Sequence, residues 1–200
     1  MTIILIYDIM FLIKGKNMNI WTDIEASRIK PDDFLACIEI QQGDKTKYEL
    51  DKSTGLLLMD RVLYTSTHYP MNYGFIPLTL SEDNDPLDVF VLCSQPLERL
   101  CMVRCYPIGV VIMTDIKQKD EKIIAIPFGD PQYNCYTDIA QLPKHIFDEL
   151  QHFLSVYKQG CFWYNIVGIL EVKVESLGDS KKAKEIIVEN LIRFKENFKK

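Results

Sequence analysis

The chain has 200 residues, 48% of them hydrophobic and 26% charged, enough to bury one good core and to form a single domain. Twenty-three basic residues against 28 acidic ones leave a net charge of −5, so the surface as a whole does not attract phosphate backbones, which excludes nucleic acid as a main partner. Six cysteines, at 37, 93, 101, 105, 135 and 161, form no CxxC pair and mostly sit in apolar runs, as reduced core thiols do and a disulfide framework does not.

The stretch "IILIYDIMFLI" (3–13) is apolar, but it is too short to span a bilayer and contains Asp8, and Lys14 and Lys16 follow it instead of preceding it. It reads neither as a membrane span nor as a secretory signal. Residues 1–17 are expected to be an extension with no part in the site, Met18 offers a second start, residues 18–200 form the single domain, and the expected location is the cytoplasm.

After Pro31, short strands are expected at "LACIEI" (35–40), "KYEL" (47–50) and "LLLMDRV" (56–62), with turns at Gly43 and Asp44 and at "DKSTG". "YPMNYGFIP" (69–77) reads as aromatic residues packed around a stiff turn. Further strands are expected at "VFVLC" (89–93), at "MVRCYPIGVVIM" (102–113), broken by Pro107 and Gly109, at "KIIAIP" (122–127) and at "IVGILEVKV" (166–174).

A first helix should run from about Pro143 to Tyr157, with Ile146, Leu150, Phe153, Leu154 and Tyr157 on one stripe and Gly160 just past its end. A second, over about 180–198, aligns Ala183, Ile187, Leu191, Phe194 and Phe198, and its basic residues read as a solvated outer face. Many short strands with late helices argue an α+β fold, an antiparallel barrel carrying helices on its outside. Parallel βαβ winding is disfavoured because no helix separates the early strands.

The segment "SEDNDPLDVF" (81–90) places Glu82, Asp83, Asp85 and Asp88 within seven residues. Carboxylates this close repel one another unless positive charge lies between them. Asp83 and Asp85 are two apart and share a side of an extended segment, and the turn set by Pro86 brings Asp88 round to them. A second pair, Asp115 and Asp120, stands at the shoulders of the hairpin expected in "MTDIKQKDEK" (113–122). Hard divalent cations take carboxylate oxygens, and Mg2+ binds one or two from a protein while keeping water and substrate phosphates. An EF-hand calcium loop does not fit, since Asp88 stands where that loop needs Gly and Ser94 where it needs Glu. Taken alone, "SEDNDP" fits a soluble acidic turn as well as a metal site.

Alternation places Lys47 and Glu49 opposite Tyr48 and Leu50, and turns Glu39 away from Ile38 and Ile40. Arg61 ends an apolar strand on the face of Leu57 and Met59, which suits a guanidinium only where an anion meets it. Tyr69 reads as core; Tyr73 reads either as core or as a hydroxyl offered to a ligand oxygen. Tyr157 and Lys158 project a phenol and an ammonium from the end of the first helix, although a lysine there also complements the helix dipole with no ligand.

In order and spacing, "IEI", "KYELDKSTG", "DR", "YPMNYGFIP", "DNDPLDV", "MTD" with the following Asp120, and the helix-end "YK" resemble the soluble inorganic pyrophosphatases of the first family, over residues 30–160. The resemblance implies a five-stranded antiparallel OB-like β-barrel with flanking helices, Mg2+ dependence, hydrolysis of pyrophosphate to two phosphates, and a homo-oligomer, a hexamer if it is like the bacterial relatives. By the same resemblance Asp83, Asp88 and Asp120 hold a first metal, Asp88 is shared with a second, and Asp115 with Asp120 takes further ions that arrive with substrate. Asp85 is then the general base, Lys47, Arg61, Tyr157 and Lys158 are the phosphate-binding set with Tyr73 close by, and Glu39 belongs to the metal-water shell.

Two departures stand out: Ile116 follows Asp115 where bacterial members often carry an acid, and "QGCFWYNI" (159–166) lacks a lysine many have after Lys158. The loop "FGDPQYNCYTD" (128–138) is not explained by the resemblance. A broader phosphoanhydride hydrolase acting on nucleotides would need a base pocket, and neither a P-loop nor a dinucleotide fingerprint is present. A non-catalytic OB-type binding module would need a basic groove with stacking aromatics, against the acidic balance of this chain.

Overall fold

The computed structural model describes residues 18–115, 118–159 and 173–198. Among them the strands are β1 (Phe34–Ile40), β2 (Thr46–Asp51), β3 (Leu56–Val62), β4 (Asn72–Ile76), β5 (Leu87–Val91), β6 (Met102–Asp115), β7 (Gln118–Pro127) and β8 (Lys173–Asp179). Two α-helices, α1 (Lys144–Val156) and α2 (Ser180–Asn197), and two short 3-10 turns complete them. Residues 1–17, Ile116, Gly160 and most of the strand expected at 166–174 lie outside the described residues.

Five strands pair in a closed circuit. Cys37 of β1 stands opposite Phe75 of β4, Phe75 opposite Asp88 of β5, and Asp88 opposite Lys122 of β7. Met113 of β6 then faces Asp120 of β7, and Cys105 of β6 returns to Phe34 of β1. β8 extends the sheet along β6, while β2 and β3 form a separate hairpin sheet. The expected OB-like α+β arrangement is present, with one correction: β5 and β7 run parallel, because the chain between them passes through the whole of β6 and so reverses without a helix.

Two further expectations change. "YPMNYGFIP" is not only a turn, since Asn72–Ile76 forms β4, with every residue buried. Gly74 explains the choice of residue: a Cβ there would sit 1.8 Å from the Cys37 carbonyl oxygen, so the strands approach too closely for any side chain. β6 is continuous through Pro107 and Gly109, which are absorbed by a register shift between them.

Strand β5 and the Lys122–Pro127 half of β7 are buried on both faces, which is why "VFV" and "IIAI" read as unbroken apolar runs. Val89, Val91, Ile123 and Ala125 join a cluster covered by Ile186 and Ile187 of α2. Phe90, Ile124 and Ile126 join another with Tyr69, Tyr73 and the α1 residues Leu150, Phe153 and Leu154. By the period of two, Asp88, Asp120 and Lys122 belong to the α1 side, at the end of those strands. No helix among the described residues is long and apolar enough to cross a membrane.

Candidate active site

The ladder across β4, β5 and β7 sets the centre of the site. Lys122 is 4% exposed, and its Nζ donates to Asp88 Oδ2 at 2.6 Å, to Asp120 Oδ1 at 2.9 Å and to the Tyr73 hydroxyl at 3.5 Å. Burial works to lower this ammonium, but Asp120 and Asp88 outweigh it and hold it well above the ordinary lysine range. Asp88 is pushed up by burial, with the pull of Lys122 opposed by the charge of Asp120.

Glu39, expected to turn away from Ile38 and Ile40, is 6% exposed and sits at a bulge between them. Its Oε1 accepts from the Leu50 N–H at 2.8 Å, and burial together with the Asp88 charge holds its carboxyl well above the usual carboxylate range.

The acid segment between β4 and β5 is a turn and not the extended run that spacing suggested. Ser81 N–H donates to the Asp85 carbonyl at 2.7 Å, Asn84 N–H to the Ser81 carbonyl at 3.1 Å, and Asp85 N–H to Asp83 Oδ1 at 3.0 Å. Asn84 takes a left-handed backbone, φ 68°. Desolvation raises the Asp83 carboxyl, and the charges of Asp85, Asp88 and Asp120 add to it. Helix α2 ties down the root of this turn: the Asn190 carbonyl accepts from Leu80 N–H at 3.1 Å and Arg193 donates to the Leu80 carbonyl at 2.8 Å.

Lys47 and Arg61 stand opposite each other in the β2–β3 hairpin. Lys47 pairs with Glu49 and, at 3.3 Å, with Asp60, and Arg61 pairs with Asp60. The apolar residues of β3 are not core: Leu58 is 64% exposed and Met59 49%, while the guanidinium side chain is only 19% exposed. At the end of α1, Tyr157 stacks on Phe153 at 5.1 Å between ring centres, and the Lys158 ammonium lies 5.4 Å from the Tyr157 ring.

These groups line one cavity of about 560 Å³. Glu39, Lys47, Arg61, Tyr73, Asp83, Asp85, Asp88, Asp120, Tyr157 and Lys158 all reach it, so ten of the residues singled out in the sequence are brought together. Asp115 closes β6 opposite Gln118, and its side chain lies outside the described residues. Lys122, Glu49, Lys52 and Tyr69 also line the cavity without having been assigned to it. Lys122 carried a usable signal, because it starts "KIIAIP" in phase with the buried Ile124 and Ile126. Lys52, inside the turn "DKSTG", carried none.

Six carboxylates and five cationic side chains meet in this cavity. No group of three or more His, Cys, Asp or Glu side chains among the described residues forms a ready-made metal cluster. Asp88 and Asp120 meet at the Lys122 ammonium, and Asp83 and Asp85 reach the same cavity from the acid turn, oxygen donors of the kind a hard divalent ion takes.

A small closed sheet presenting carboxylates and cations together around one cavity is the site of an enzyme that handles a small polyanion. A family model described as inorganic pyrophosphatase matches residues 36–195. The chain belongs to the inorganic pyrophosphatase family, hydrolases of pyrophosphate. It is 41% identical over 186 residues to soluble inorganic pyrophosphatase 2 of Chlamydomonas reinhardtii, covering 92% of this chain and 93% of that one. With a soluble inorganic pyrophosphatase of Solanum tuberosum it shares 51% identity over 139 residues, 70% of this chain and 66% of that one. The solved inorganic pyrophosphatase of Thermus thermophilus superimposes with a TM-score of 0.82 at 34% identity, over 89% of this chain and 99% of that one.

Proposed function

We propose that the cavity hydrolyses pyrophosphate to two orthophosphates with Mg2+ as cofactor, by direct attack of water. The observation carrying this reading is the meeting of the Asp83, Asp85, Asp88 and Asp120 carboxylates with the cations Lys47, Arg61 and Lys158, each set supplied by different elements of one cavity. The donor chemistry fits the ion: hard oxygens, raised at Asp83 and Asp88 first by burial and then by neighbouring acids, are relieved by added positive charge.

In this reading Asp83, Asp88 and Asp120, with Asp115, hold the ions, and Glu39 holds their water. Bound there, divalent ions neutralise phosphate charge and lower the pKa of water. Asp85 is more exposed than Asp88 and takes the proton of the attacking water as general base. Lys47 and Arg61 hold one phosphate, Tyr157 and Lys158 steady the other, and the Tyr73 hydroxyl lies close by. Lys122 fixes the orientation of Asp88 and Asp120 through its two short bonds. Phosphoryl transfer of this kind asks the protein for position and charge, and no side chain has to act as nucleophile.

A nucleic-acid binding module is disfavoured by the site itself: Tyr69, Tyr73 and Tyr157 are 2%, 8% and 8% exposed, packed inward and not offered for stacking. The family favours pyrophosphate over nucleotides as substrate. A cytoplasmic location is supported by the cysteines, since Cys37, Cys93, Cys101, Cys105 and Cys135 are all free thiols. The test is phosphate release from pyrophosphate with Mg2+, compared with excess chelator and with ATP as substrate. Turnover of ATP at the pyrophosphate rate would overturn the substrate assignment.

A further inference from the structure

Of the five cations lining the cavity, Lys52 is the one that the reading above gives neither a phosphate to hold nor an acid to orient. Lys52 lies in the turn between β2 and β3, where its Nζ ion-pairs with the Asp85 carboxylate and donates to the Asn84 carbonyl at 3.1 Å. The same Nζ stands 5.9 Å from the Trp21 ring centre, and the Trp21 indole N–H donates to the Thr79 carbonyl at 2.9 Å, just before the acid turn. A separate hairpin is thus fastened to the tip of the acid turn at two consecutive residues, one of which has a left-handed backbone.

The turn's own bonds fix the Asp85 backbone, through Ser81 N–H to its carbonyl and its N–H to Asp83. They do not fix the carboxylate. Among the described residues, Lys52 is the cation paired with it. We propose that Lys52 is a positioning residue for the reaction: it holds the Asn84 and Asp85 corner from outside the turn, so that the Asp85 carboxylate points at the attacking water. This rests on the reading of Asp85 as general base.

An exposed ion pair contributes little to folding stability, and Lys52 and Asp85 side chains are 44% and 54% exposed. Misplacement of a catalytic group is costlier, since a shift of about 1 Å can slow a reaction by about 100-fold. The effect should therefore appear in turnover and not in melting. A phosphate-binding lysine would behave differently, because loss of uniform binding raises KM and leaves kcat unchanged.

The test compares kcat, KM for magnesium pyrophosphate and Tm in wild type, Lys52→Met, Lys52→Arg, Asp85→Asn and the Lys52→Met/Asp85→Asn double variant. Lys52→Met should lower kcat about tenfold with KM changed less than about twofold and Tm unchanged, and Lys52→Arg should recover most of the rate. In the Asp85→Asn background Lys52→Met should cost less than about twofold, because the group it positions is gone. Full kcat in Lys52→Met beside a crippled Asp85→Asn would overturn this proposal alone. So would a raised KM at full kcat, additive losses in the double variant, or a kcat loss that tracks a fall in Tm. Full kcat in Asp85→Asn would overturn the base assignment, and the positioning role with it.

Discussion

Asp88 and Lys122 face each other across the parallel seam of β5 and β7, with the ammonium 2.6 Å from the carboxylate and 5% of the lysine side chain exposed. Removing the ammonium leaves Asp88 and Asp120, whose side chains are 28% and 16% exposed, without the charge that compensates them. Lys122→Met should therefore cost about 3 kcal/mol of stability, read by urea unfolding, because Asp88 and Asp120 then crowd together unscreened. Saturating Mg2+ should recover part of that loss by binding the folded state. An equally stable variant would show that the two acids do not depend on this ammonium.

Asp85→Asn and Asp88→Asn should separate into two behaviours. If Asp85 is the general base as proposed, Asp85→Asn should keep Mg2+ affinity and lose about 100-fold or more in kcat, since the proposed ion-holding carboxylates stay. Calorimetric titration with Mg2+ beside steady-state kinetics checks it. A parallel loss of ion affinity would move Asp85 into the ion-holding set.

Gly74→Ala places a methyl group 1.8 Å from the Cys37 carbonyl oxygen, a backbone atom that cannot rotate away. The expected cost is about 3 kcal/mol or more, at the upper end of overpacking, seen as a lowered urea midpoint. A midpoint unchanged from wild type would mean that β1 and β4 separate easily.

Asp130 gives the loop that follows β7 a structural purpose. It is 4% exposed and accepts from Ser94 N–H at 2.6 Å and Gln132 N–H at 2.9 Å. Burial works to raise its carboxyl, but these bonds outweigh it and hold it below the usual carboxylate value. A depressed folded value means that the stabilisation is present above the unfolded pKa, near 4, and is lost as pH falls through the folded one. Asp130→Ala should cost about 2 kcal/mol at pH 7, and the gap to wild type should narrow in unfolding titrations at about pH 2 to 3.

Elements whose sequence had one reading were legible. β3 at Leu56–Val62 matches its expected bounds, and α2 starts and ends within a residue of expectation, because its apolar spacing and the Asp179 cap agree. β4 was hidden because Pro70, Gly74 and Pro77 resemble turn residues, whereas Gly74 answers a tertiary contact with β1 that local pattern does not carry. The parallel seam was hidden too, since strand order is set by long-range pairing. In the site, the clustered acids and the helix-end Tyr157 and Lys158 were readable from spacing and from family likeness. Lys52 was not, because its meaning depends on a hairpin folding back onto the acid turn. The burial of Glu39 was not legible, because the bulge beside it breaks the period of two that turned it away from Ile38 and Ile40.

If these carboxylates hold divalent ions that act on pyrophosphate, as proposed, a Mg2+ titration of phosphate release should separate wild type from Asp88→Asn. Wild-type activity should rise from zero with Mg2+ and vanish in excess chelator, and Asp88→Asn should need more than about tenfold more Mg2+ for half-maximal rate. Full activity in excess chelator, or the same Mg2+ dependence in both proteins, would contradict it.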